Sequence, residues 1–293
     1  MPQIWAFDCE WAPDLTAGRR VYRLPPEVPD DEVLRVMWRE GGATEENPQP
    51  FLKTILCRVV SIAAVVRTVS ATKGVKLSLW SVPALDEPLV GEPRVAPEGV
   101  PEADILQAFL GHFERRAKDG EAPVLVGYNS RNADVHILLQ RAFVNGLQLP
   151  SFFRESTAKP WNQNGIDLMD FLGGHGKGYS ASLDEVANLC GIPGKLDTTG
   201  DDVARLYYGG KSRAVVEYNM FDALTTYLVW LRAEFVSGRF TAQQYADEQC
   251  RLRDLVECEA KQPQGTYLQT YLDAWSAPVR DKTILLDGRN VFR

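Results

Sequence analysis

Three short apolar segments, rich in β-branched and aromatic residues, precede any long helical pattern, and that order narrows the possible folds more than any other feature. Residues 3–8 (QIWAFD) read as a buried strand, with a Pro-Asp turn following at Pro13–Asp14. Residues 58–69 and 76–82 read as two adjacent strands joined by a turn at Lys73–Gly74. A fourth apolar run, residues 123–129 (PVLVGYN), follows a helix expected over 102–118, where Ile105, Leu106, Phe109 and Phe113 recur at helical spacing. Helix signals then dominate. They cover residues 133–146, closed by Asn-Gly, and a short helical segment in GIDLMDFLGG. A further helix opens at Ser182 with Glu185 at capping-box spacing, the longest spans 213–234, and one more covers 241–260. Strands first, then strands alternating with helices, predict an α/β fold with a mixed sheet flanked by helices.

Residues 12–56 interrupt this pattern with mixed charge, a Pro25–Pro26 step and Gly41–Gly42, so they read as a long insertion holding one short helix near 31–40. Five prolines between Pro83 and Pro101 mark an irregular connection. The length of 293 residues suits one large domain over 1–260, with 261–293 as a C-terminal extension of weak pattern and no assigned role. Five scattered cysteines without a CxxC pair, and only three histidines, argue against a disulfide framework or a zinc cluster. With no apolar run near the roughly 20 residues of a membrane span and no leader-like N-terminus, a reduced, cytoplasmic protein is expected. The net charge of −7 disfavours a protein that coats nucleic acid. It suits an enzyme holding a short stretch of strand in one pocket, where bound cations cancel part of the acid.

Three places can carry chemistry. In a strand Asp8 and Glu10 project to one side, while Cys9 faces the other as a small core residue. Two like charges beside an apolar run call for a positive partner, and a divalent cation held through oxygen is the simplest one. Alone, the pair could equally open a solvated turn. Asn129 precedes Asp134 by five residues at a strand-to-helix junction, where Asn129, Ser130 and Asn132 also suit a plain N-cap cluster. Tyr218 and Asp222, four apart, share one face of the longest helix, which is otherwise apolar; a simple tyrosine–aspartate contact is the alternative. Asp167 and Asp170 read as structural, and His112, His136 and His175 as packing or surface residues.

Taken together in this order, Asp-x-Glu, Asn-x4-Asp and Tyr-x3-Asp resemble the motifs of the ribonuclease H-like 3′-5′ exonucleases with four acidic residues, in the subtype with tyrosine in its third motif. The proofreading domain of family-B DNA polymerases belongs to that group. GIDLMDFLGGHG, SLDEVANLCGIPGK and YNMFDALTTYLVWLR further resemble a stand-alone bacterial family of predicted 3′-5′ exonucleases related to that domain, and the likeness covers most of residues 3–260. Two positions depart from the pattern. Ala133 stands where phenylalanine usually precedes the aspartate, which would loosen the packing around Asp134. Trp11 stands where threonine commonly follows the first motif.

The resemblance implies a ribonuclease H-like fold and phosphodiester hydrolysis with two divalent metal ions, Mg²⁺ or Mn²⁺, held by Asp8, Glu10, Asp134 and Asp222. Asp8 would bridge the ions, Glu10 and Asp222 would complete one coordination shell, and Asp134 would serve the second ion, often through water. Tyr218 would orient the attacking water, since a phenol with an ordinary pKa near 10 makes a poor base at neutral pH. For the substrate, Trp11 is a candidate to stack on the terminal base or else a core tryptophan. Asn129 and Arg131 are candidates for phosphate contacts, as is Lys195 at the end of IPGK. The expected activity is 3′-5′ release of nucleoside monophosphates from single-stranded DNA. RNA or very short oligonucleotides are the alternative substrates, and a small phosphate ester a further one. A non-catalytic nucleic-acid-binding or scaffold module is the alternative from another class.

Overall fold

Five strands, Ile4–Pro13 (β1), Cys57–Ser70 (β2), Gly74–Val82 (β3), Val124–Gly127 (β4) and Gly165–Asp167 (β5), form one mixed sheet in the order β3-β2-β1-β4-β5. The computed structural model describes residues 3–85, 100–157, 165–174, 181–194, 196 and 202–276. β1 lies at the centre, antiparallel to β2 and parallel to β4, and β4 is parallel to β5. Helices cover both faces, which makes the chain an α/β protein of the ribonuclease H-like kind.

Alternation along β1 decides what each face holds. Trp5, Phe7 and Cys9 enter one core with helices Glu102–Lys118 (α3), Asp134–Val144 (α4) and Pro150–Thr157 (α5). Phe109 of α3 stacks on Phe7 at 5.5 Å and meets Trp5 at 5.3 Å, so the aromatic residues that mark the first segment as a strand are its packing surface. The residue between the first two, Ala6, turns with Val65 and Val126 to the other core, built by helices Ser212–Val236 (α9) and Ala242–Ala260 (α10). α9 is buried on nearly all sides, as expected of a helix apolar around its circumference.

The strands and long helices expected from the sequence are present, with three instructive differences. β1 runs to Pro13 rather than stopping near Asp8, because the 14-residue β2 pairs with it as far as Cys57↔Pro13; the acids therefore sit inside a strand. The insertion holds two helices, Leu15–Tyr22 (α1) and Asp30–Glu40 (α2), instead of one. Asp14 caps α1 by accepting from the Thr16 and Ala17 N–H groups, and Gly18 lets α2 approach, since a Cβ there would lie 2.5 Å from the Met37 sulfur. β5, only three residues long, precedes the short helix Leu168–Leu172 (α6) expected in GIDLMDFLGG. Ser182 and Glu185 form the expected capping box on Leu183–Leu189 (α7).

Three further helices were not expected from the sequence: α5, Val203–Tyr208 (α8) and Leu268–Ser276 (α11). α11 lies in the weakly patterned tail yet joins the α9 core: Tyr271 is fully buried, stacks on Phe221 at 5.6 Å and lies 3.1 Å from the Thr225 hydroxyl. Most of the proline-rich connection, together with residues 277–293, lies outside the described residues. Among the described residues no helix is long and apolar enough to cross a membrane.

Candidate active site

The pleat that sends Trp5, Phe7 and Cys9 to the α3 side sends Asp8 and Glu10 to the α9 side. Their cross-strand neighbours on β2 are small, Ala63 opposite Asp8 and Ser61 opposite Glu10, so α9 can pack closely above them. One face of α9 then delivers Tyr218 and Asp222. Carboxylate oxygens of Asp8, Glu10 and Asp222 lie within 4.8 Å of one another. The β1–β2 register slips between Glu10 and Trp11, which pairs with Val59 and leaves Val60 as the extra residue. Such a bulge re-aims the side chain beside it, and Trp11 stands half-buried at the cleft rim.

Asp134 arrives from the opposite side of the sheet. β4 pairs with β1 only as far as Ala6↔Val126, so the edge of β1 beyond is open, and the Asp134 Oδ1 accepts the Cys9 N–H there at 3.0 Å. The turn that brings it is tightly specified. A Cβ on Gly127 would lie 2.4 Å from that of Ser130, and Asn129 takes a left-handed φ of 59°. Asp167, which caps α6, also accepts the N–H groups of Asn129 at 3.0 Å and Arg131 at 2.9 Å. Asp134 is the first residue of α4, where the helix N-terminus favours negative charge.

The resulting cage is electrostatically tense. Burial drives the Asp8 carboxyl well above its ordinary value, with the charges of Asp134, Glu10 and Asp222 adding to the shift and the Asn219 amide, 2.7 Å from Oδ2, opposing it. Burial likewise pushes Asp134 up to about 8, against the stabilising backbone N–H groups. Tyr218 is raised far above an ordinary phenol by burial and then by Asp222, Glu10 and Asp8, so it stays protonated and hydrogen-bonds to Asp222. Burial also raises the Cys9 thiol, which makes it a poor metal ligand. The cleft above the acids is walled by Trp11, Trp38, Phe51, Tyr128, Ala133 and Tyr218, and among the described residues it contains no lysine, arginine or histidine.

The four acids and Tyr218 are thus brought together, and Trp11 stands beside them. Asn129 and Arg131 are placed elsewhere. The Asn129 side chain accepts from Asn132 at 3.2 Å, and Arg131 pairs with Asp170 and borders a separate small cavity with Phe113 and Phe152. Lys195 and His175 lie outside the described residues. His112 packs edge-on against Trp5 at 5.3 Å. Sequence reasoning missed Ser61 and Asn219, and missed Trp38 and Phe51 on the insertion. Asn219 had a usable signal, its position inside the Tyr-x3-Asp motif. Phe51 had a weaker one, a lone aromatic residue in a polar stretch.

Comparison with known proteins agrees with this geometry. A family model described as "predicted 3′-5′ exonuclease related to the exonuclease domain of PolB" matches residues 49–275. That span contains Asp134, Tyr218 and Asp222, whereas Asp8 and Glu10 lie before it and are tied to the site by the fold. No protein with a curated description matches the chain. With well over half its length matched, the chain belongs to the family of predicted 3′-5′ exonucleases related to the exonuclease domain of PolB.

Proposed function

We propose that the protein is a metal-dependent 3′-5′ exonuclease that shortens single-stranded DNA and releases nucleoside monophosphates at the Asp8, Glu10, Asp134 and Asp222 cage. The observation that carries this reading is convergence: three elements deliver four carboxylates and a protonated tyrosine to one cleft. The cage also suits divalent cations. Its donors are hard oxygens, three of them within reach of a common point, and Asp8 is held against like charge that a cation relieves. Mg²⁺ or Mn²⁺ matches such a set better than zinc.

In this reading Asp8, Glu10 and Asp222 would hold one ion, and Asp134 would serve a second. Bound divalent ions would supply Lewis acidity, making water more acidic and offsetting charge on the reacting phosphate. The protein's own groups do the rest. Tyr218 gives its proton to the hydrogen bond with Asp222, which leaves its oxygen lone pairs to accept from a water and aim it. Its raised pKa rules against service as a base. Trp11, Trp38 and Phe51 offer aromatic faces on which bases of a single strand can stack. Phe51 borders the cleft with 78% of its surface exposed, so its ring is open to an incoming strand.

A second reading is cleavage of very short oligonucleotides by the same site, favoured by the wall that the insertion raises beside the acids, with RNA as the other alternative substrate. Incubating 5′-labelled DNA and RNA strands and dinucleotides with Mg²⁺ or Mn²⁺ separates these readings. A DNA ladder that shortens from the 3′ end, lost in Asp8→Ala, supports the main one. Preferred cleavage of RNA or dinucleotides supports the second. No cleavage of any, with the fold intact and metal bound, supports a binding module.

A further inference from the structure

Behind Asp8 stands a short chain of buried polar groups. Asn219, on α9 between Tyr218 and Asp222, is fully buried, and its Nδ2 donates to the Asp8 Oδ2 at 2.7 Å. Ser61, on β2 and also fully buried, donates its hydroxyl proton to the Asn219 Oδ1 at 3.0 Å. The relay crosses three elements, β2 to α9 to β1, and Ser61 is the strand partner of Glu10.

The chemistry of each group fixes the direction of the chain. A side-chain amide has two distinct ends, a donor and an acceptor, and only the acceptor end can receive a hydroxyl proton. With Ser61 donating to its oxygen, Asn219 must turn its NH₂ toward Asp8. The flipped amide would set a carbonyl against a carboxylate already crowded by acids, and would leave the two facing oxygens without a proton between them. Holding the carboxylate by Oδ2 fixes its plane, and with it the direction in which Oδ1 offers its lone pairs. Groups that orient a ligand in this way act on metal affinity without touching the metal.

We infer that Ser61 and Asn219 act together as a positioning pair, holding the Asp8 carboxylate aligned for cation binding. This inference rests on the exonuclease reading, because it assumes that Asp8 is a cation ligand. Neither residue reaches the cleft lining among the described residues, so neither is placed in contact with substrate.

The test is titration of the full chain with Mn²⁺, followed by electron paramagnetic resonance and by thermal unfolding, for wild type, Ser61→Ala, Asn219→Leu and Asp8→Ala. The expected result is a Mn²⁺ affinity about 10–100-fold weaker in Asn219→Leu, the usual range for loss of a group that orients a ligand. Ser61→Ala should lie between this variant and wild type, with its metal-free unfolding temperature lowered only by the loss of one buried hydrogen bond. At saturating strand, kcat should fall in both while KM for the strand holds. Ser61→Ala removes one buried hydroxyl only, so it decides the matter if Asn219→Leu does not fold. Unchanged Mn²⁺ affinity in Ser61→Ala overturns the pairing. Wild type that binds no Mn²⁺, or binds it as well as Asp8→Ala does, instead overturns the exonuclease reading on which the pairing rests.

Discussion

Two buried acid clusters lie within a few residues of the end of β1, and they are built on opposite principles. Glu102, on α3, is answered by protein groups at every oxygen. Its Oε1 accepts from the Val59 N–H at 2.7 Å and from Arg141 at 2.8 Å, and its Oε2 from Arg141 at 2.6 Å and Asn145 at 2.9 Å. The same guanidinium reaches Asp14 at 2.7 Å and the Ile55 carbonyl at 3.1 Å, joining α4 to the start of the insertion. Asp8 has like charges for neighbours and one amide to steady it. A buried carboxylate matched by arginine is a finished structural unit, whereas one surrounded by acids completes itself only when something cationic arrives.

The contrast gives substitutions of opposite sign. Arg141→Met strands Glu102 and should cost about 3–5 kcal/mol in urea unfolding, the usual penalty for breaking one half of a buried pair. The cost should be the same with or without Mg²⁺. An equal loss in Asp8→Asn would erase the distinction. That variant should instead stabilise the metal-free protein by removing repulsion, while lowering exonuclease turnover at least about 100-fold, beyond the effect of outer groups on a metal site.

Phe51→Ala sharpens the comparison at the cleft wall. If the exposed ring stacks on a base, single-strand affinity should fall by about 1–3 kcal/mol, read as a higher KM with kcat held. An unchanged KM would make the ring a bystander.

The smallest effect is in the pH dependence of the metal-free protein. Asp8 and Asp134 both bind their protons more tightly folded than unfolded, so the folded state carries extra protons over a window above the ordinary value of 3.8, in the case of Asp134 up to about 8. Stability from these groups is present below that window and lost as pH climbs through it. Thermal unfolding should therefore move to lower temperature from pH 5 toward pH 8, and saturating Mg²⁺ should reverse the trend, since cations bind the deprotonated acids. In Asp134→Asn the slope should flatten. A slope that matches wild type would show that the raised carboxyl lies elsewhere.

The parts of this arrangement visible in the sequence are those written in periodicity and type. Alternation placed Asp8 and Glu10 on one side, the four-residue step joined Tyr218 to Asp222, and the Ser182 box opened α7 where expected. What stayed hidden depended on partners far along the chain. β1 continues past Asp8 because β2 is long enough to pair with it, a fact that residues 3–13 do not contain. β5 is a strand only because β4 offers an edge, and α11, whose Leu268, Tyr271, Leu272 and Trp275 do fall at helical spacing, is short and takes its place by packing on Phe221 and Thr225. Arg131 could be read as a phosphate contact or a solvated surface residue from its position after Asn129, and the turn directs it to Asp170. Asn219 was in plain view within a motif, yet its meaning depends on Ser61, 158 residues away.

The most direct test is thermal unfolding of wild type and Asp222→Asn at pH 8 over a range of Mn²⁺ concentrations. A ligand that binds only the folded state raises stability with the logarithm of its concentration once above its Kd. Wild type should show that rise and Asp222→Asn should lose most of it, because the Asp222 oxygen lies within 4.8 Å of those of Asp8 and Glu10, which come from far across the sequence. The same rise in both proteins, or none in wild type, would mean that these acids do not form one cation-binding cage.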